Sequence, residues 1–299
     1  MTINDSFDIF PPKNFNFNEC LVFLKRSDQE LLHRIHKNSL YKAIQISGEI
    51  VLLKISIKNN RMHVSFPLKK PISSEIKLEV SEYITQWFDL DRDIIPFYEM
   101  AENDPILQNL VKKYKGYRVI GIPDLFEALT WAIIGQQINL TFAYRLKKRL
   151  VEQFGKKLKW DGKSYWLFPN PDQIATINIS DLTNLQFTRR KAEYIIDIAK
   201  MMYRNELSKN SLRHKDYESL KKELMTIRGV GSWTADYVIM RCFNQTNAFP
   251  IADVGIHRAL QRQLDLERKP TIKEIMEIAK PWKGWESYAT FYLWRSAYD

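Results

Sequence analysis

Two segments of the sequence contain residue types whose spacing could do chemistry. Residues 224–235 read Leu-Met-Thr-Ile-Arg-Gly-Val-Gly-Ser-Trp-Thr-Ala and lie between two helical patterns. The backbone amides of Gly229 and Gly231, at the start of the second helix, are suited to bind a phosphate without regard to base sequence. Further along the chain, Asp253 directly precedes another helical pattern. Phosphate binding and carboxylate chemistry are the two activities that these residues offer.

The position of Asp253 is open to a structural and a chemical interpretation. An aspartate before a helix commonly caps it, which stabilises the helix by about 1 kcal/mol. A carboxyl group in an aromatic pocket has a raised pKa, whereas the positive end of a helix favours the ionised form. Capping and catalysis are therefore compatible, and Asp253 is a candidate catalytic residue. The plain alternative for residues 224–235 is a glycine-containing turn between two helices.

Two kinds of hydrophobic periodicity divide the sequence near residue 100. On either side of Lys58-Asn59-Asn60, apolar residues alternate with polar ones, which is typical of a β-hairpin with one buried face. From about residue 105 the period is 3.6 and strand signals nearly vanish. We therefore predict an α+β protein. A small N-terminal antiparallel β-sheet domain with flanking helices spans residues 1–100, and a mostly α-helical domain spans residues 101–299.

The helical domain is predicted in some detail. Asp124 is expected to cap its first strong helix, with Glu127 at the third position of that helix. Further helices are predicted over residues 141–154, 189–206, 216–226, 233–242, 254–263, 271–280 and 285–297, with a short extended segment over residues 159–168. The short connections between them indicate a compact domain. In the N-terminal domain, one helix is predicted over residues 81–90.

Charge and composition narrow the class of partner. The 299 residues contain 45 Lys+Arg against 35 Asp+Glu, so the net charge is +10, and the pI is near 9.3. This balance is typical of nucleic-acid binding, although charge alone identifies no partner. No apolar run approaches the roughly 20 residues of a membrane span, and no signal peptide is visible. The two distant cysteines exclude a disulfide scaffold, a four-cysteine zinc site and a cysteine-ligated iron–sulfur cluster, and they suit a reducing cytoplasm.

The two chemical segments together resemble a known family. Residues 227–235, followed by Ala-Asp-Val-Gly-Ile at 252–256, are similar to the hairpin and downstream aspartate of the helix–hairpin–helix DNA glycosylases. Other segments match the 3-methyladenine DNA glycosylase II branch, the bacterial alkylbase enzymes: Phe-Asp-Leu-Asp at 88–91, Gly-Ile-Pro-Asp-Leu-Phe-Glu at 121–127, Ile-Gly-Gln-Gln at 134–137 and Trp-Lys-Gly-Trp-Glu-Ser-Tyr-Ala at 282–289. The resemblance covers nearly the whole chain and is weaker in the first 100 residues.

The resemblance implies a role for each matching residue. Asp253 is the catalytic carboxylate. Trp233 stands where lyase-competent relatives carry a Schiff-base lysine, so no AP lyase activity is expected. The rings expected to line the base pocket are Trp233, Tyr237, Trp294 and Phe23. The DNA-binding hairpin comprises Arg228, Gly229, Val230, Gly231 and Ser232. No cofactor is required, but a monovalent cation, Na⁺ or K⁺, that bridges to a DNA phosphate is expected on the backbone carbonyls of Met225, Ile227 and Val230.

Two positions differ from the best-known type of this family. Gln137 takes the place of an aliphatic wedge, the side chain that fills the gap left by the flipped base. A glutamine can occupy that gap and hydrogen-bond the orphan base. Val254, directly after the aspartate, replaces a tyrosine, and this thins one wall of the pocket.

The function implied by the resemblance is that of a monofunctional DNA glycosylase. It would flip alkylated purines, of the 3-methyladenine and 7-methylguanine type, out of duplex DNA and hydrolyse the N-glycosidic bond, starting base excision repair. The expected partner is double-stranded DNA with such bases, bound by a monomer in the bacterial cytoplasm, at the nucleoid. Two alternatives stay open. One is a glycosylase for another lesion, such as an oxidised or deaminated purine, or one with lyase activity through a different lysine. The other is a non-catalytic helix–hairpin–helix DNA-binding module.

Overall fold

The architecture is taken from a computed structural model that describes residues 5–68 and 71–298. The strands are β1 (Ser6–Ile9), β2 (Arg34–His36), β3 (Ser39–Ile46), β4 (Glu49–Lys58), β5 (Arg61–Ser65), β6 (Lys157–Trp160) and β7 (Lys163–Trp166). The α-helices are α1 (Phe17–Leu24), α2 (Ser74–Phe88), α3 (Ile95–Glu102), α4 (Leu107–Lys113), α5 (Leu125–Gly135), α6 (Leu140–Phe154), α7 (Pro171–Ile174), α8 (Ile179–Thr183), α9 (Arg189–Tyr203), α10 (Lys209–Leu212), α11 (Tyr217–Leu224), α12 (Ser232–Cys242), α13 (Val254–Gln263), α14 (Ile272–Ile278) and α15 (Glu286–Arg295).

The five N-terminal strands form one antiparallel sheet in the order β1-β5-β4-β3-β2. The predicted hairpin is β4–β5, with Ile57 opposite Met62. Its turn residues Asn59 and Asn60 have φ of 49° and 60°, which asparagine tolerates better than most residues. The sheet followed by helices confirms the predicted α+β class.

A second, two-stranded sheet, β6–β7, occupies the predicted extended segment. It packs on the large sheet through a small buried cluster that joins Ala43 and Leu52 to Tyr165 and Leu167. Because all four of these side chains are buried, the β6–β7 hairpin is part of the packed core.

Contacts divide the chain into two compact units that alternate along the sequence. One unit contains the described residues of segments 1–12, 27–85 and 129–208, and the other those of segments 13–26, 86–128 and 209–299. The N-terminal sheet thus shares its unit with α6 to α9. Residues 224–235, which resemble the DNA-binding hairpin, and Asp253 belong to the second unit. The predicted division at residue 100 follows the chain order instead, and it stays a prediction.

Most helices begin and end near their predicted limits. Asp124 caps α5, since its Oδ1 accepts a 2.6 Å hydrogen bond from the Glu127 amide as predicted. The helix predicted over residues 81–90 is α2, which begins earlier, at Ser74. Short helices such as α1, α3 and α4 were not predicted, although α11 and α14, which are of similar length, were. In the part of the chain that the structure describes, no helix has the length and apolar character to cross a membrane.

Candidate active site

The helix–hairpin–helix consists of α11, α12 and the turn between them. Ile227 and Val230 are both 5% exposed and anchor the turn in the core. The Val230 amide donates to the Ile227 carbonyl at 3.0 Å. Gly229 has a φ of +89°, a conformation that side chains with a Cβ rarely adopt, so glycine is required there by the backbone itself.

Gly231 is glycine for a different reason. It precedes α12 with extended backbone (φ −91°, ψ −179°), a conformation open to any residue. A Cβ added at Gly231 would meet no atom within 4 Å. The fold therefore does not demand glycine here, and the missing side chain leaves the start of α12 open to close approach from outside. Arg228 and Ser232, on either side, are also exposed.

A buried carboxylate fixes α12 against α11. Asp236 is 1% exposed and accepts hydrogen bonds from the Tyr217 hydroxyl at 2.6 Å and from Lys221 Nζ at 2.9 Å. Burial raises the pKa of Asp236, and these hydrogen bonds oppose the rise. The ion pair and the tyrosine together set the separation of the two helices that present the turn.

Asp253 caps α13 and is held by four N–H groups. Its Oδ1 accepts from the amides of Gly255 at 2.8 Å and Ile256 at 3.3 Å, which confirms the predicted cap. The same oxygen accepts from Nε1 of Trp294 at 3.0 Å. Oδ2 accepts from Nε1 of Trp233 at 3.3 Å. The carboxylate is thus oriented by two helix amides and two indoles.

Competing effects set the pKa of the Asp253 carboxyl. Burial is the largest and raises the pKa above its usual value, while the hydrogen bonds from Trp294, Gly255, Ile256 and Trp233 lower it. The residue as a whole is partly exposed. The four N–H donors favour the ionised carboxylate, and burial opposes it.

Three aromatic side chains form a row beside this carboxylate. The rings of Trp233 and Tyr237 lie 5.5 Å apart on α12, and the ring of Trp294 on α15 lies 6.1 Å from Tyr237. Trp233 and Trp294 are partly exposed, whereas Tyr237 is 6% exposed. The structure thus brings together Asp253 and three of the four rings that the sequence predicted as a pocket.

The fourth predicted ring, Phe23, lies elsewhere. It is 1% exposed and packs on Phe291 at 5.2 Å and on Tyr117 at 6.4 Å. Phe291 in turn packs on Trp294 at 5.3 Å. Phe23 is therefore a core residue one layer behind Trp294, and its predicted role as a pocket-wall ring is not supported. An N-terminal phenylalanine surrounded by apolar residues gives the same sequence signal in either position.

Gly255 is a site residue that sequence reasoning missed. A Cβ at this position would lie 2.7 Å from Asp253 Oδ1 and 2.9 Å from Trp294 Nε1. Real Cβ atoms do not approach so closely, so the absent side chain is what lets the indole reach the carboxylate. The signal was a glycine in the first turn of a helix directly after a capping aspartate, where glycine is otherwise unfavourable.

His257 supports the segment before Asp253. Its Nε2 lies 3.1 Å from the Ile251 carbonyl, and its Nδ1 lies 2.8 Å from the Pro270 carbonyl. A neutral imidazole can donate to one of these oxygens, and an imidazolium can donate to both. His257 therefore ties the chain before α13 to the chain before α14.

The two residues that differ from the family type are both exposed. Val254 is 53% exposed and follows Asp253 directly, at the start of α13. Gln137 belongs to the other compact unit, in the turn between α5 and α6, and its φ is +54°. The left-handed backbone at Gln137 is uncommon for a residue with a side chain.

Side-chain and backbone oxygens differ in what they offer a metal ion in this structure. Within residues 5–68 and 71–298, no group of three or more His, Cys, Asp or Glu side chains is placed to hold a metal ion. The hairpin carbonyls of Met225, Ile227 and Val230 offer oxygen ligands of another kind. Ile227 already accepts one hydrogen bond, from Val230, and its carbonyl keeps a second lone pair.

Comparison with known families identifies the class of protein. Residues 130–284 match the family described as HhH-GPD superfamily base excision DNA repair protein, and residues 9–129 match the N-terminal domain of 8-oxoguanine DNA glycosylase. The chain belongs to the HhH-GPD superfamily of base excision DNA repair proteins. The resemblance drawn from the hairpin and the downstream aspartate is confirmed.

Individual relatives agree with this assignment. The DNA-3-methyladenine glycosylase of Bacillus subtilis (strain 168) is 46% identical over 298 residues, which cover 99% of this chain and 98% of that protein. Among solved structures, the 3-methyladenine DNA-glycosylase from Archaeoglobus fulgidus has a TM-score of 0.83 at 23% identity, with 96% of this chain and 97% of that chain covered. The Clostridium acetobutylicum 8-oxoguanine glycosylase/lyase in complex with DNA has a TM-score of 0.74 at 20% identity, with 99% and 98% covered. At these identities the two solved structures establish the shared fold.

Proposed function

We propose that this protein is a monofunctional DNA glycosylase that releases alkylated purines, of the 3-methyladenine type, from double-stranded DNA. The single observation that carries the proposal is the Asp253 carboxylate, oriented by four N–H donors beside the rings of Trp233, Tyr237 and Trp294. The name of the Bacillus subtilis relative, DNA-3-methyladenine glycosylase, supports the choice of substrate.

The chemistry asks little of the protein beyond this carboxylate. Hydrolysis of a glycosidic bond passes through a sugar with oxocarbenium character. A purine alkylated on a ring nitrogen carries positive charge and is already a good leaving group. Asp253 then stabilises the developing cation through preorganised negative charge and can orient the attacking water. Its helix cap and the two indoles prevent it from turning away as the charge develops.

The row of rings would receive the extruded base. Leaving the stack costs a few kcal/mol, and less where damage has weakened pairing. Stacking on an aromatic face returns about 1–3 kcal/mol per base, and a cationic base adds a cation–π attraction. With Val254 in place of a larger residue, selectivity would come from the weak bond and easy extrusion more than from base-edge hydrogen bonds. A broad range of alkylated bases is the expected result.

The hairpin would grip the DNA backbone. The amides of Gly229 and Gly231 lie just before the first residue of α12, where the partial positive charge of the helix N-terminus favours a phosphate. The carbonyls of Met225, Ile227 and Val230 are the groups that would hold a monovalent cation next to that phosphate. A cation held there would supply positive charge that favours an anionic group of the DNA. Because backbone contacts dominate, binding is expected to weaken steeply with salt.

Two further features complete the proposal. Gln137, exposed on its turn, would fill the vacated stack and hydrogen-bond the orphan base. Trp233 cannot form an imine with the sugar, so the product would be an abasic site in an unbroken strand. The protein is proposed to act as a monomer in the bacterial cytoplasm, on the nucleoid.

A base-release assay with strand integrity read in parallel tests this function. Separate duplexes carry 3-methyladenine, 7-methylguanine, hypoxanthine or 8-oxoguanine, and released base is measured by chromatography. Release of the two methylated purines from intact strands, which break only after alkali, is the expected result. Release of 8-oxoguanine alone would instead favour the lesion suggested by the match of residues 9–129. A covalent adduct trapped by borohydride would contradict the monofunctional assignment. Binding without release of any base would leave a DNA-binding module.

A further inference from the structure

One buried lysine lies next to the turn that carries Gln137. Lys191, the third residue of α9, is 9% exposed. Its Nζ donates to the Ile134 carbonyl at 2.7 Å and to the Gln136 carbonyl at 2.8 Å. These three residues and Gln137 all lie in the same compact unit.

The two carbonyls stand at the end of α5, where the helix itself leaves carbonyl oxygens without partners. Ile134 lies within the last turn, and Gln136 directly precedes Gln137. At the other end of the turn, Asn139 caps α6 by accepting from the Phe142 amide at 2.8 Å. The turn is thus held on both sides, and one of the two Lys191 contacts is with the residue directly before Gln137.

This contact is costly to maintain. Burial penalises the ammonium group and lowers the pKa of Lys191 to about 8. Helices usually end with a glycine in the left-handed conformation and need no buried charge. Here the left-handed residue is Gln137 itself, with φ at +54°, and such a residue keeps this conformation only when its surroundings enforce it.

We propose that Lys191 is a positioning residue, which holds the left-handed turn so that Gln137 is presented to damaged DNA. The proposal rests on the proposed function, because it takes Gln137 as the wedge. Lys191 does not touch the lesion; its two hydrogen bonds select one backbone conformation before DNA arrives. Preorganisation of this kind raises affinity for the damaged duplex, where the wedge enters, relative to intact duplex.

A double-mutant cycle tests the proposal. The proteins are wild type, Lys191→Met, Gln137→Ala and the double variant. The probes are a duplex with a tetrahydrofuran abasic analogue opposite 2-aminopurine and the matching undamaged duplex. Fluorescence anisotropy gives the ratio of the two affinities, and 2-aminopurine emission reports unstacking of the opposite base. Lys200→Met is the matched control, since Lys200 is an exposed lysine on the same helix.

If Lys191 acts through Gln137, each single substitution lowers the affinity ratio by about fivefold, and the double variant falls no further than Gln137→Ala alone. Lys200→Met leaves the ratio unchanged. Independent losses that multiply in the double variant would overturn the proposal, because a purely structural role does not depend on Gln137. If Gln137→Ala leaves the affinity ratio unchanged, Gln137 is not the wedge and the proposal for Lys191 is overturned with it. The base-release assay tests the glycosylase function separately.

A second variant covers a failure of Lys191→Met to fold. Lys191→Arg keeps the charge but replaces the compact ammonium by a longer, planar head group, so the geometry of the two contacts must change. We expect Lys191→Arg to lower the affinity ratio and the 2-aminopurine emission, and to cause no further loss when it is combined with Gln137→Ala. A Lys191→Arg protein with full affinity ratio and unchanged emission would contradict the positioning role.

Discussion

Nε1 of Trp294 donates a 3.0 Å hydrogen bond to Oδ1 of Asp253, the oxygen that also caps α13. Oδ1 therefore receives three N–H donors, from Trp294, Gly255 and Ile256. Oδ2 accepts the longer, 3.3 Å bond from Trp233. One oxygen thus fixes the carboxylate, and the other keeps more capacity to interact with a sugar cation or a water molecule.

Gly255→Ala is expected to disrupt this relationship without unfolding the protein. The new Cβ would lie 2.7 Å from Asp253 Oδ1 and 2.9 Å from Trp294 Nε1, so the carboxylate and the indole must shift away from it. We expect base release to fall by about tenfold or more, since misplacement of a catalytic group by 1 Å can cost about a hundredfold. Single-turnover release from methylated DNA measures the effect.

Thermal unfolding provides the control for Gly255→Ala. Alanine in a helix is favoured over glycine by about 1 kcal/mol, which opposes the local strain. The melting temperature should therefore change little while activity falls. Activity close to that of the unaltered protein would show that the approach of Trp294 to Asp253 is not needed for catalysis.

The pH profile should report the raised pKa of Asp253. Burial raises this pKa, so the ionised, active form is lost at a higher pH than for an ordinary carboxyl as the solution is acidified. Trp294→Phe removes a donor that lowers the pKa and should move the acid limb of the profile further up. Rates of single-turnover release across pH measure the acid limb of the unaltered protein and that of Trp294→Phe. An acid limb that stays in place in Trp294→Phe would mean that another group controls it.

The contact of Asp236 with α11 should matter for stability. Asp236→Ala leaves Tyr217 and Lys221 without this partner and should lower the free energy of unfolding by about 3 kcal/mol, as for other broken buried pairs. Urea denaturation measures the loss. Glu223→Ala is the matched control, because its 2.8 Å pair with Lys215 is much more exposed than Asp236 and should contribute less than about 1 kcal/mol. Equal losses in the two variants would contradict the role given to Asp236.

Local signals in the sequence predicted much of this architecture. The asparagine turn of β4–β5, the Asp124 cap and the Asp253 cap each depend on residues within four positions of one another. The hairpin glycines were likewise recognisable, because their order and the helix after them form one continuous pattern. Features of this kind are determined by residues that are close together in the sequence, so the sequence alone indicates them.

Contacts between distant segments were not predictable in the same way. Gly255 has its meaning only through Trp294, which is brought to Asp253 by the packing of α13 and α15. The resemblance implies a pocket position for Phe23, whereas its side chain is 1% exposed and lies in the core; an apolar ring gives no sign in the sequence of which layer it occupies. In the sequence, Lys191 is the last of three consecutive basic residues, 189–191, and nothing there indicates that it donates to two backbone carbonyls.

Asp253→Asn tests the central claim most directly. Asparagine caps helices as well as aspartate does, and its side-chain oxygen can keep the three donors of Oδ1, while its NH2 group faces the indole N–H of Trp233. The variant should therefore stay folded, with at most a small fall in melting temperature. Single-turnover release of 3-methyladenine is the measurement, with duplex affinity determined in parallel. We expect release to drop by about 10²–10³-fold with affinity retained. Release at the rate of the unaltered protein would contradict the role of Asp253 as the catalytic carboxylate.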